Sequence, residues 1–164
     1  MVPINKLSGF FLMQACRTFQ QKINKLFVED NIPLNIDQWP VLLCLITDGA
    51  QTQQELAIAT QKDKANLGRN IEALERNGLV ERKVSKTDRR KKIVSASPKA
   101  IELVPRIKAV LINQSDFTTA DIAEEELEVF RNVIRKMMYN AQGEQSEVFL
   151  KNFMQKIEKI SKIK

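Results

Sequence analysis

The segment "ERKVSKTDRRKKIVSAS", residues 81–97, constrains the fold most, because it does not follow the helical spacing of the chain around it. Its flanks, residues 79–84 and 92–96, carry the alternating pattern of strands, and "SKTDRRK" between them has the composition of a turn. The segment therefore reads as a β-hairpin with a charged tip. Seven of its residues are Lys or Arg. Ser97 followed by Pro98 then reads as an N-cap with proline at the first helical position. Any fold for this chain must seat one small, strongly basic hairpin among helices.

The helices can be placed by period and by their start and stop signals. Residues 4–28 carry Leu7, Phe11, Ala15, Phe19, Ile23 and Leu26 at helical spacing, and Phe10, Leu12, Met13 and Cys16 widen that face beyond what one neighbour covers. "NIPLN" breaks this helix. Asn35 with Gln38 gives a capping box for a helix through residue 47, with Pro40 in its second turn as a bend. "DGA" ends that helix, and Thr52 with Glu55 caps a short one in "QTQQELAIAT". Asp63 can cap the next, which aligns Leu67, Ile71 and Leu74 and stops at Gly78. Beyond the hairpin the expected helices run from Ser97 to about residue 113 with a kink at Pro105, from about 122 to 140 after "QSDFTTAD", and from 147 to 163 after "QGEQSE".

Two helices joined by a short turn and followed by a hairpin make a winged helix-turn-helix. The expected fold is mainly α with a small β-hairpin wing. Residues 35–97 form the winged helix-turn-helix domain, and residues 1–34 and 98–164 form a helical region around it.

Composition removes several functions. The chain has no histidine among its 164 residues, so histidine-based triads and histidine metal sites are excluded. No glycine-rich phosphate loop and no carboxylate pair framed for acid–base work is visible, so no enzyme, no cofactor and no metal is expected. Cys16 and Cys44, both in apolar context, read as buried small hydrophobes in a reducing compartment. No apolar run reaches the roughly 20 residues of a membrane span, and none resembles a signal peptide, so a cytoplasmic protein without a membrane partner is expected.

Charge points elsewhere. Residues 61–92 hold eleven basic and five acidic side chains, which is the whole +6 excess of the chain. Such concentration calls for a polyanion. On the helix that begins after Asp63, the side opposite Ile71 carries Lys62, Ala65, Asn66 and Arg69 near its start. That is the part of a recognition helix that meets base edges; Arg69 suits guanine, and Asn66 or Asn70 suits adenine. Lys64 and Gln53, the latter at the start of the preceding helix, complete this candidate face. Gly68 costs helix stability and suggests packing or a close backbone approach, or is a neutral replacement. Arg89, Arg90 and Lys91 at the hairpin tip suit a minor groove, with Asp88 orienting Arg90. Any one such helix could simply be an amphipathic helix with a solvated face; the basic wing shifts the balance toward double-stranded DNA. The alternative is a non-specific nucleic-acid module that binds through charge alone.

The pieces "NIDQWPVLLCL", "QTQQELA" and "ALERNGLVERKVSKTDRRKKIVSAS", with the flanking long helices, resemble the MarR family of bacterial transcription regulators. The family's wing pattern, Asp-x-Arg followed by alternating apolar residues and Leu-Thr, reads here as Asp88-Arg89-Arg90, Ile93-Val94 and Ala96-Ser97. Ser97 keeps the capping chemistry of the threonine, while Ala96 and Ala100 replace the usual leucine and glycine, a change for packing more than for DNA contact. The resemblance implies a homodimer whose first and last long helices interlock, a pseudo-palindromic operator, and repression. It assigns Arg90 to the minor groove and residues 62–70 to the major groove. In many members it further implies a small hydrophobic or phenolic effector that releases DNA. One branch senses peroxide through a cysteine at the position that Phe11 holds here, with Cys16 further along the helix. Residues 147–163 lie beyond the usual family end.

Overall fold

The computed structural model describes residue 3 and residues 7–84 and 92–163. Its elements are α1 (Ser8–Glu29), α2 (Trp39–Asp48), β1 (Gln51–Thr52), α3 (Gln53–Thr60), α4 (Lys64–Arg76), β2 (Val80–Val84), β3 (Lys92–Ala96), α5 (Pro98–Thr119), α6 (Glu124–Gln142) and α7 (Glu144–Ser161). The mainly helical fold with a small antiparallel sheet is thus as expected, and the hairpin strands fall almost where their alternation placed them.

Elements α2 to β3 form a compact head. Its core is Trp39, Val41, Leu42, Leu43, Leu45, Leu56, Leu67, Ile71, Leu74, Leu79 and Val94, all buried. Local chemistry sets each entry. Asn35 and Gln38 form a reciprocal box, each side chain accepting from the other's backbone N–H at 3.0 and 2.9 Å. That box encloses a turn, and α2 itself starts only at Trp39, so Pro40 falls in the first turn rather than the second. Proline's missing N–H is one the first turn leaves unpaired anyway, so Pro40 is accommodated there without the loss of a helical hydrogen bond. Thr52 and Glu55 form the second box, at 3.2 and 2.7 Å. α4 ends in a Schellman motif: Gly78, at φ +71°, and Leu79 return hydrogen bonds to Glu75 and Leu74, each at 2.9 Å.

The sheet has three strands in the order β1-β3-β2. β2 pairs with β3 as a hairpin, Val80 opposite Ala96 and Val84 opposite Lys92. The third strand, β1, pairs Gln51 with Val94 and was not anticipated, since two residues cannot show alternation.

Outside the head, α5 packs on α1, and α7 packs on both α6 and α2. Ser97 caps α5 through the Ala100 N–H at 3.3 Å. α5 continues past the expected end at 113 to Thr119, with Pro105 inside it. Hydroxyls of Thr118 and Thr119 are satisfied within the helix by the carbonyls of Gln114 and Ser115, so the polar "QSDFTT" stays helical. α6 and α7 start two and three residues from their expected positions. Phe27 is the only buried residue of α1, and α6 buries none. Cys44 is buried as expected, and burial pushes its thiol up; Cys16 is exposed, on the open face of α1.

Candidate nucleic-acid interface

Helix α4 is the natural reader. Its N-terminus is fixed by Asp63, whose carboxylate accepts from the Asn66 N–H at 2.8 Å. Leu67, Ile71 and Leu74 anchor the inward stripe. Ala65 and Arg69 are exposed on the other side and Asn66 is half-buried there, so these three expected readers share the outward face. Lys64, seven residues before Ile71, is exposed at the first position of α4 on the side of the stripe. Gln53 stands half-buried at the first position of α3. Gly68 has nothing within 4 Å of where a Cβ would sit. Packing within the chain therefore does not require that glycine.

Two expected readers are placed differently. Asn70 is only 6% exposed, and its amide donates to Asp37 Oδ2 at 3.1 Å. It lies beside the buried stripe, and its hydrogen-bonding capacity is turned inward rather than toward a base. Lys62 precedes α4 and donates from Nζ to Asp37 Oδ1 at 2.5 Å, with its side chain 12% exposed. Both belong to a polar knot around Asp37, a residue with no local signal, because its partners lie far along the chain.

The knot extends to the body of the molecule. Asn24 of α1 accepts from the Ile36 N–H at 2.7 Å, next to Asp37, and Asn77 at the end of α4 donates to the Pro33 carbonyl at 2.7 Å. The turn between α1 and α2 thus holds α4 at its start, middle and end. Partial burial pushes the Asp37 carboxyl up, but hydrogen bonds from Lys62 and Asn70, with the Lys62 charge, outweigh it and leave the group below the usual carboxylate range.

At the other end of α4, Arg82 of β2 donates through Nε and Nη2 to Glu75 Oε2, the Nε bond at 2.8 Å. The Arg82 hydrogen bond holds the Glu75 carboxyl below its usual value. Reader helix and hairpin are therefore joined by an ion pair as well as by packing. Lys83, Val84 and Lys92 are exposed at the far end of the described strands. Asp88, Arg89, Arg90 and Lys91 lie outside the described residues.

A family model for the MarR family matches residues 34–92, which covers the head almost end to end. An uncharacterised HTH-type transcriptional regulator of Bacillus subtilis (strain 168), YwoH, is 29% identical over 125 residues, 76% of this chain and 89% of that protein. Among solved structures, a crystal structure of MarR aligns with TM-score 0.66 and 27% identity, over 85% of this chain and 98% of its own. The Staphylococcus aureus MepR–DNA complex aligns with TM-score 0.71 and 23% identity, over 81% of this chain and 96% of its own. That last likeness speaks to the fold.

Proposed function

We propose that this chain, which belongs to the MarR family of transcriptional regulators, is a sequence-specific repressor that binds a pseudo-palindromic operator as a homodimer. The observation that carries the reading is α4: capped at its start, anchored inward by three aliphatic residues, and offering Ala65, Asn66 and Arg69 outward, with Lys64 exposed in its first turn. Such a face, with donors near the helix N-terminus, fits a major groove. Arg90, with Arg89 and Lys91 beside it and Asp88 to orient it, would take the minor groove. Lys62 and Asn70 then position the reader rather than read.

The homodimer is supported by apolar surface that one chain leaves uncovered. Phe11 on α1, Phe117 on α5 and Phe130 on α6 are 61%, 77% and 58% exposed. Apolar exposure on this scale marks an interaction surface, and a second copy with two-fold symmetry would bring two heads to one duplex. A small hydrophobic or phenolic effector is supported by a cleft of about 1070 Å³ between α3 and α7. Ile58, Val148 and Phe149 give it apolar walls, and Lys62 and Asp63 bring it to the start of the reader helix.

The test is selection of bound sequences from a random duplex pool at near-physiological salt. The expected result is a palindrome with half-sites about one helical turn apart. Recovery of no motif, with binding that collapses as salt rises, would leave only a non-specific module that contacts phosphate.

A further inference from the structure

Helix α7 plays no part in the reading surface, yet it is fastened to the head. It follows Gly143, at φ +63°, and packs back on α6. Its C-terminal half then seats on α2. Ile160 is 3% exposed within the core cluster that joins the head to α1 and α5, and Phe153, Ile157 and Ile163 pack against that cluster. Lys156 and Lys159 both pair with Asp48, the last residue of α2, the Lys159 contact at 3.2 Å. From α5, Lys108 Nζ donates to the carbonyls of Ser161 and Ile163 at 2.9 and 2.8 Å, closing the end of α7. Three elements therefore meet at this seat.

The first half of α7 is held differently. Val148 is 59% exposed, and the cleft described above opens between this half and α3. α7 is thus clamped to the head through its C-terminal half. Apart from this clamp, the head joins the long helices through the Ser97 junction into α5, through the turn after α1, and through packing of α2 on α5 in a core they share with Phe27. A body held on one side pivots about that side; a second attachment across α2 removes the pivot.

We infer that α7 is a strap that fixes the angle of the reading head, and that Asp48, Lys156, Lys159 and Ile160 are the residues by which this regulator selects its half-site spacing. The inference rests on the dimeric reading above. Each added base pair moves a half-site by about 3.4 Å along the duplex and turns it by about 34°. Heads at a fixed separation follow neither displacement. Heads free to swing follow both.

The experiment uses the full chain as wild type, as the Lys156→Gln/Lys159→Gln double variant and as Ile160→Ala. Hydrogen exchange of the α7 amides reports whether the strap is seated. Affinity is measured for the selected operator and for copies with one base pair added or removed between half-sites. Wild type should lose about tenfold or more for either change, the cost of twisting the duplex back into register. In the variants, α7 amides should exchange faster and the spacing penalty should shrink to about threefold or less. Faster exchange with the wild-type penalty intact overturns the strap alone, as does unchanged exchange in both variants. Failure of the wild type to select any paired half-sites overturns both the strap and the regulator reading.

Discussion

Asp37→Asn is the substitution that best separates a positioned reader helix from one that merely happens to lie on the surface. In the native head the Asp37 carboxylate accepts from Lys62 and from Asn70, two partners 25 and 33 residues away along the chain. Asparagine keeps one acceptor oxygen, puts an N–H donor opposite the other donor, and removes the charge. Hydrogen bonds to charged groups contribute roughly 1.5–3 kcal/mol and neutral ones about 0.5–1.5 kcal/mol. The exchange therefore costs about 1 kcal/mol for the bond that survives as a neutral one, and roughly 1.5–3 kcal/mol for the bond that is lost, before screening. The Asp37 side chain is 48% exposed, although that of Lys62 is only 12% exposed, so water screens part of the loss. A net destabilisation of about 2 kcal/mol is expected, which lowers Tm by roughly 4–8 °C for a chain of this size. Thermal unfolding at fixed protein concentration measures it. The pH dependence gives the sign. Because the folded Asp37 carboxyl titrates below its usual range, its contribution is full at neutral pH and is lost as pH falls through the folded value. Wild type and variant should converge in acid. Releasing Lys62 to phosphate should also steepen the salt dependence of DNA binding by roughly 0.9 per head. A Tm difference that is absent at neutral pH, or that persists unchanged into acid, would refute the reasoning.

Arg69→Ala should relax base preference at one position per half-site, with roughly 1–3 kcal/mol of discrimination lost in competition binding. A uniform loss over all sequences would place Arg69 on phosphate instead. Gly68→Ala has open space for its methyl within the chain, so it should stabilise α4 by up to about 1 kcal/mol; urea unfolding reads the gain, and a simultaneous loss of operator affinity would assign the glycine to close approach by the duplex. Phe130→Glu puts a charge on an exposed ring of α6. It should weaken self-association by about 30-fold or more if this ring is an interface anchor, and sedimentation equilibrium reads the change.

The legible parts of this fold were those with local chemistry. Asn35 with Gln38, Thr52 with Glu55, Asp63, Gly78, and Ser97 with Pro98 announce themselves within four residues, and the structure uses each at a helix or turn boundary. What escaped was non-local or against type. β1 is recognisable only through its partner in β3. "QSDFTT" has a loop's composition, yet its hydroxyls find carbonyls one turn back and the helix goes on. Asn70 sits at the edge of the helical stripe, and its bond to the distant Asp37 leaves no local trace in the sequence. Cys16 was assigned to the interior by residue habit; its face of α1 is open in a single chain.

The pairing of Gln51 with Val94 also sets a timetable for the nascent chain. The sheet cannot close until residue 94 has left the ribosome, and α1 meets its packing partner only when α5 follows. At about 5–20 residues per second, α1 waits roughly 3–14 s with Phe27 uncovered, a task for a chaperone or for the tunnel wall. Translation halted before that point produces no closed head, so aborted products should not compete for the operator.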